Sequence, residues 1–114
     1  MQRDEVYLLD MLIAARRATA HADGADFEDL ENDQMLQDAV IRCLGLVGEG
    51  AARVSLEYRS HHPEIDWRDV IGMRNRLVHD YRHVDLGIVW RTLTQNLPRL
   101  IKALESLISP ADAV

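Results

Sequence analysis

Apolar residues recur at helical spacing along nearly the whole chain, and this periodicity constrains the fold more than any other feature. In the first segment Val6, Leu9, Ile13 and Ala20 follow a period of about 3.6 residues. No stretch shows the apolar–polar alternation of a half-buried strand. The 114 residues suffice for one domain. The sequence therefore predicts a single all-α domain over residues 1–114, an up-and-down bundle of four to five helices.

Capping and breaking residues predict where the first helices begin and end. The first helix is expected over residues 4–22, with Gly24 as its terminator. A second helix, capped by Asn32 or Asp33, is expected to run to about Arg59. The acidic stretch between them predicts a solvated loop and an acidic helix start. Three glycines inside the second helix indicate a kink or a close approach by another helix: Gly45, Gly48 and Gly50.

The second half of the chain predicts two further helical segments. After a loop at "SHHPEID", Asp66 is expected to cap a third helix from about Trp67 to Tyr81. The last apolar pattern covers residues 85–108 and contains Pro98. Because proline removes a backbone hydrogen bond and clashes with the preceding turn, it should kink or split this helix.

Charge and cysteine content restrict the partners and the compartment. The formal net charge of −6 argues against nucleic-acid binding over the whole surface, so any such contact would be a local basic patch. A single cysteine, Cys43, forms no internal disulfide, which fits a reducing cytoplasm. The apolar runs are too short to span a bilayer, and the first residues lack a signal peptide's apolar segment. The sequence predicts a soluble, cytoplasmic protein without a membrane partner.

The segment "GMRNRLVHDY" concentrates chemically active side chains on this acidic chain. If the third helix continues through it, Arg74 and Tyr81 lie nearly in line, and Asn75 and His79 are neighbours four residues apart. Arg82 falls between these two pairs. The five side chains would then share an arc of about 160° beside the core face, with Arg74 and His79 flanking a groove.

Such a groove suits the cleavage of RNA without a metal. Arginine supplies a permanent charge and a planar fork of donors for a phosphate, and histidine exchanges protons near neutral pH. His79 would act as general base or acid while the substrate's 2′-hydroxyl attacks its own phosphate. Arg74 would stabilise the developing charge, and Asn75 would orient His79 or the phosphate. Arg76 and Arg82 would add RNA contacts.

Other interpretations of these residues are weaker. His79 and His83 could hold a metal if the helix reached both, but no convincing third ligand accompanies them, and we expect neither metal nor cofactor. Cys43 lies among apolar residues and is expected to be a buried, inert thiol. The simplest alternative is a solvated helix face carrying an Arg76–Asp80 pair.

The motif in "RNRLVHDY" resembles the Arg-x4-His-x-Tyr signature of HepT toxins in the HEPN superfamily. Longer stretches also resemble this family, in its order: "LQDAVIRCLGLVGEGAARVS", "HPEIDWRDVIGMRNRLVHDY" and "VDLGIVWRTLTQNLPRL". The resemblance covers about residues 5–108. One departure is that Arg82 and His83 follow the tyrosine, where many relatives carry an aromatic residue and a glycine.

The resemblance implies an HEPN-like homodimer whose two motifs face a shared cleft. It implies the toxin of a type VII toxin–antitoxin system, a metal-independent endoribonuclease that cleaves cellular mRNA or tRNA. Arg74 and His79 would be catalytic, with Asn75 as their polar neighbour. Tyr81 would be the residue to which an MntA-type minimal nucleotidyltransferase antitoxin transfers AMP.

Two points stay open on the sequence alone. A non-catalytic HEPN module that binds a nucleotide or accompanies a nucleotidyltransferase remains the alternative function. Arg42 and Glu49 lie seven residues apart, in line on a mostly apolar helix, and are expected to find partners at an interface. Trp67 and Trp90 are expected in the core or at a dimer interface.

Overall fold

Two long helices form the scaffold of the protein. The computed structural model describes residues 3–80 and 83–108, and of residues 78–80 the backbone only. Helix α1 spans Arg3–His21 and helix α3 spans Gln34–Arg53, and the two pack against each other more extensively than any other pair of elements. Several helices gather around this pair, so the predicted all-α fold is confirmed.

Glycines on α3 allow neighbouring elements to approach closely. A Cβ on Gly50 would lie 2.7 Å from Cγ of Met11 on α1. A Cβ on Gly48 would lie 3.2 and 3.3 Å from the carbonyl oxygens of Val70 and Ile71. The close approach predicted from these glycines is therefore confirmed, and α3 runs through them as a continuous helix.

The acidic segment between α1 and α3 is partly helical rather than the expected loop. Gly24, with a φ of +76°, follows the end of α1 as predicted. Helix α2, Phe27–Asn32, then forms because Asp26 and Asp29 make a reciprocal capping box. Of the two predicted caps of α3, Asp33 is the one used, its side chain accepting the Leu36 N–H.

Helix α3 ends at Arg53, earlier than the predicted Arg59, because a second cap starts a new helix. The Ser55 hydroxyl accepts the Tyr58 N–H and begins α4, Leu56–His61. Ser55 is itself held by Asp4, whose carboxylate accepts the Ser55 N–H at 2.8 Å and its hydroxyl at 2.7 Å. A tertiary contact with α1 thus fixes the break.

The third predicted helix begins where expected but is short. Asp66 caps α5, Trp67–Ile71, by accepting the Asp69 N–H. Trp67 is buried and its indole N–H donates to a backbone carbonyl in the preceding loop. Gly72 ends α5, and α6, Met73–Leu77, continues the chain.

The helix predicted to reach Tyr81 is wrong beyond Leu77, where a hairpin begins. Strand β1, Val78–Asp80, pairs antiparallel with β2, His83–Val84, in an irregular register. The Asp85 N–H donates to the Leu77 carbonyl at 3.0 Å and closes the base of the hairpin. The physical cause is tertiary: the chain reverses here to return to the bundle, and its β-branched Val78 and Val84 pair across the strands.

The last predicted helix forms with an internal irregularity. Its three parts are α7, Leu86–Arg91, a π turn, Thr92–Asn96, and α8, Leu97–Leu107. The Leu97 N–H donates to the Thr92 carbonyl five residues back, one residue further than in an α-helix. Pro98 follows directly, so the predicted interruption by proline takes the form of a widened turn.

The apolar side chains of these elements meet in one core. α8 packs on α1, while α5 and α6 pack on α3. Among the described residues, no helix combines the length and the apolar character needed to cross a membrane. Fully buried core residues include Leu8, Met11, Leu12, Leu30, Leu44, Met73, Leu77, Leu97 and Leu104.

Candidate functional site

Arg74 reaches into a groove beside α3. It is exposed on α6 between the buried Met73 and Leu77, which fix the orientation of that short helix. Its Cδ atom lies 3.4 Å from the position that a Cβ on Gly45 would occupy, so the side chain rests against the bare surface of α3. The groove has a volume of about 550 Å³ and is lined by Asp38, Ile41, Arg42, Gly45, Leu46, Glu49, Arg74 and Val84.

The charges in this groove are mixed. Arg42 and Glu49 are both exposed, and within the described residues neither they nor Arg74 makes a hydrogen bond or ion pair. Asp38 accepts a hydrogen bond from the Gln34 side chain at 2.9 Å. Two guanidinium groups without a partner among the described residues thus share a groove with two carboxylates. The sequence did not predict that α3 forms one wall of this groove. The feature that could have indicated it is the seven-residue spacing of Arg42 and Glu49, which places both on one face of α3.

Arg76 faces a different environment although it lies two residues from Arg74. Its Nη1 atom is 3.0 Å from Oδ1 of Asp69, and its Nη2 donates to the Asp69 carbonyl oxygen at 3.2 Å. With Asp69, Asp66, Arg68 and Gly72 it lines a separate groove. The alternative prediction, an Arg76–Asp80 pair four residues apart on one helix, is wrong because Asp80 lies on β1.

The helix on which the predicted arc of the motif depends ends at Leu77. Arg74 and Asn75 lie exposed on α6, but the backbone of His79 belongs to β1. The prediction that Asn75 and His79 are neighbours one turn apart on the same helix is therefore wrong. The side chain of His79, and the whole of Tyr81 and Arg82, lie outside the described residues, so their predicted roles stay predictions.

The metal interpretation loses its geometric basis. His79 and His83 lie on opposite strands of the hairpin and not one turn apart on a helix. Over residues 3–80 and 83–108, no group of three or more His, Cys, Asp and Glu side chains is placed to hold a metal ion.

Cys43 is buried on α3, as predicted from its apolar neighbours. Burial raises the pKa of its thiol, although Arg17 and Arg42 act in the opposite direction. A thiol with a raised pKa carries little thiolate at neutral pH and is a poor nucleophile. These properties support an inert, structural cysteine.

Comparisons with known proteins agree on one family. Residues 11–107 match the family described as "Ribonuclease HepT-like". The chain is 30% identical over 108 residues to "Putative RNase TTE0752" of Caldanaerobacter subterraneus subsp. tengcongensis, covering 95% of this chain and 96% of the relative. It is 38% identical over 81 residues to "Probable ribonuclease HepT" of Thermococcus cleftensis, covering 71% and 74%. No solved structure gives a significant match.

Proposed function

Since the chain belongs to the HepT-like ribonuclease family, we propose that it is a metal-independent endoribonuclease that cleaves cellular mRNA or tRNA in the cytoplasm. The observation that carries this proposal is Arg74. Its guanidinium is exposed, has no partner among the described residues, and borders a groove of about 550 Å³. Arg74 also begins the Arg-x4-His-x-Tyr motif, which continues to His79 and Tyr81.

The proposed reaction uses the substrate's own 2′-hydroxyl as nucleophile. The 2′ oxygen forms a bond to the adjacent phosphorus while the bond from phosphorus to the 5′ oxygen breaks. His79 accepts the 2′ proton or supplies the proton that the 5′ oxygen takes up. Arg74 binds the phosphate and stabilises the charge on the phosphorane. The products are a 2′,3′-cyclic phosphate and a 5′-hydroxyl.

Other polar residues of the motif have supporting roles in this proposal. Asn75, exposed next to Arg74 on α6, orients the phosphate through a hydrogen bond. Arg82 contributes a cation to RNA binding. Arg76 contributes less, because Asp69 already engages its guanidinium.

A homodimer would complete the site. One chain supplies one Arg74 and one His79, whereas the reaction needs both a base and an acid as well as charge stabilisation. Two copies related by a two-fold axis would place two motifs around one scissile phosphate.

The proposed control is AMP transfer to Tyr81, which makes the chain the toxin of a type VII toxin–antitoxin pair. An MntA-type nucleotidyltransferase would join the phenolic oxygen to the α-phosphorus of ATP, with loss of the phenol proton and release of pyrophosphate. The added phosphate, two residues beyond His79 and next to Arg82 in sequence, would compete for the charge that RNA needs. Among the other tyrosines, Tyr58 is half-buried and stacked on His62 with ring centroids 4.1 Å apart. Burial also raises the pKa of Tyr58, which disfavours its phenolate.

The catalytic proposal is tested with purified protein and RNA in the presence of EDTA. We expect cleavage to continue and the fragments to end in a 2′,3′-cyclic phosphate. Arg74→Ala and His79→Ala should abolish cutting with unchanged helicity, whereas Arg91→Ala, an exposed arginine on α7, should cut normally. Cleavage that stops with chelator and returns with Mg²⁺ would exclude this mechanism. Wild-type protein that never cuts RNA would favour the non-catalytic accessory module.

The control by AMP is tested separately. The protein is incubated with the nucleotidyltransferase, ATP and Mg²⁺, and the adduct is mapped by mass spectrometry. We expect AMP on Tyr81, and we expect Tyr81→Phe to cleave RNA but to escape inactivation. AMP on Tyr7 or Tyr58 with Tyr81 unmodified would rule out this form of regulation.

A further inference from the structure

The charges of this chain are distributed unevenly along it. Residues 1–66 contain six Arg or Lys and fourteen Asp or Glu, whereas residues 67–108 contain seven and four. The second part runs from α5 to α8 and includes the two arginines of α6. Because an RNA backbone carries a negative charge at every phosphate, it is attracted to the α5–α8 part of the chain and repelled by the rest.

The exposed side of α6 presents three consecutive polar residues. Arg74, Asn75 and Arg76 are exposed, while Met73 and Leu77 on either side of them are buried. At about 100° per residue, Arg74 and Arg76 lie about 200° apart and Asn75 lies midway between them. The two arginines therefore leave α6 on opposite sides, and Asn75 forms the ridge between the groove beside α3 and the groove beside α5.

The groove beside α5, called the α5 groove below, has a volume of about 280 Å³ and is lined by Asp66, Arg68, Asp69, Gly72 and Arg76. Both of its carboxylates are engaged: Asp66 accepts the Asp69 N–H at 3.1 Å, and Asp69 binds Arg76. Arg68 is exposed, and among the described residues its side chain makes no hydrogen bond or ion pair. The charge that this groove offers to a ligand is therefore that of Arg68.

We propose that the α5 groove is a second phosphate-binding site, in which Arg68 binds the backbone of the same RNA whose scissile phosphate is bound by Arg74. This inference rests on the proposed ribonuclease function and specifies how the substrate lies on the protein: the strand crosses α6 over Asn75. An α-helix with its side chains is about 10 Å across, so Arg68 contacts a phosphate that flanks the scissile one and takes no part in the reaction.

This second site favours long substrates over short ones. A guanidinium that contacts a phosphate gives affinity and orientation but carries no information about the base. An RNA that ends before it has crossed α6 leaves Arg68 unused. The α5 groove therefore selects RNA by its length beyond the cleaved bond and not by its sequence there.

The first experiment measures binding without cleavage. The probe is a fluorescent 2′-O-methyl RNA that extends past α6 on both sides and has no 2′-hydroxyl to react. Arg68→Ala should raise its Kd by about three- to fivefold at low salt. It should also lower the slope of log Kd against log salt concentration by about 0.7, the value for one phosphate of a single strand. Arg91→Ala, which removes an exposed arginine of α7 that lines neither groove, should change neither quantity.

The second experiment locates the phosphate that Arg68 contacts. Each phosphate of the probe is replaced in turn by a neutral methylphosphonate. In the wild type, one such replacement on one side of the scissile position should weaken binding as much as Arg68→Ala does. In Arg68→Ala the same replacement should have no further effect, because the contact is already lost, whereas in Arg91→Ala it should keep its full effect.

Three outcomes would overturn the second site. They are an Arg68→Ala variant that binds the probe as tightly as the wild type, losses from the variant and from every neutral phosphate that simply multiply, and a variant whose mass changes in sedimentation. The last would place Arg68 in a contact between proteins. Since cleavage is not measured here, RNA that is bound through Arg68 but never cut would contradict the proposed function alone. RNA that is cut without any contribution from Arg68 would contradict this inference alone.

Discussion

The grooves beside α3 and α5 each contain an arginine from α6, and the two arginines are in opposite states. Arg74 enters the α3 groove and is unpaired among the described residues. Arg76 enters the α5 groove and is bound through two nitrogen atoms to Asp69. Both are exposed and lie on the same helix. Of these two arginines, Arg74 is therefore the one whose guanidinium a phosphate can engage without displacing a carboxylate of the described residues.

The break at Gly72 accounts for this difference. It ends α5 and starts α6, so Arg76 can fold back to both the carboxylate and the carbonyl of Asp69. On the other side, Gly45 leaves α3 without a side chain where Arg74 lies. Whether each guanidinium can bind a ligand thus depends on the residues that face it. The formal charge of the segment does not show this difference.

The largest expected difference between the two arginines is in catalysis. Arg74→Ala should lower the rate of RNA cleavage by about 100- to 1,000-fold, because it removes a preorganised donor to the transition-state charge. Arg76→Ala should change the rate by less than about threefold. Single-turnover cleavage of one RNA by both variants measures the contrast. Equal losses in the two variants would mean that the pairing of Arg76 with Asp69 does not set its role.

A smaller effect is expected when Arg76 is released from its partner. Asp69→Asn keeps the size of the side chain but removes the carboxylate charge, so Arg76 becomes available to RNA. We expect the KM for RNA to fall by about two- to threefold at low salt, with a steeper salt dependence. The double variant D69N/R76A should lose this gain. An unchanged KM in Asp69→Asn would show that the α5 groove lies away from the RNA.

The smallest expected effect is on the free energy of unfolding, to which Arg76 contributes more than Arg74. Arg76→Ala should lower the free energy of unfolding by up to about 1 kcal/mol, because it breaks a half-exposed ion pair and a hydrogen bond to the backbone. Arg74→Ala should change it by less than about 0.5 kcal/mol, since no described contact is lost. Urea denaturation followed by circular dichroism measures both values. A larger loss in Arg74→Ala would indicate that Arg74 supports the fold.

The helical scaffold was largely predictable because its capping residues and the helical spacing of its apolar residues indicate the same helices. α1 was predicted within one residue at either end, Asp33 and Asp66 cap their helices as expected, and the α3 glycines mark close approaches. The predicted helix ends were wrong where a capping side chain overrode the helical spacing of the apolar residues. Ser55 stops α3 with help from the distant Asp4, and the Asp26–Asp29 capping box makes a helix in an apparent loop.

In the candidate site, the sequence indicated the helical position of Arg74 but not the backbone course beyond Leu77. Arg74 lies exposed on α6, where the helical prediction holds, and it borders a groove with α3 that the helical period did not indicate. Extrapolating the same period past Leu77 failed, since Val78 and Asp80, on either side of His79, pair with β2. Strand pairing depends on residues further along the chain, and a helical wheel contains no information about them. The wall contributed by α3 is equally distant in sequence.

The π turn before Pro98 bears on how insertions and deletions affect this chain. A π turn holds one residue more than an α-helical turn, so it sets the rotational phase of everything that follows. Deleting one residue from Thr92–Asn96 would let ordinary α-helical hydrogen bonding return there with the phase of α8 unchanged. Restoring that bonding without a deletion would rotate α8 by about 100°. Leu100 and Leu104, buried against the bundle, would turn away from it. The backbone irregularity is therefore what keeps the last helix in register with the core.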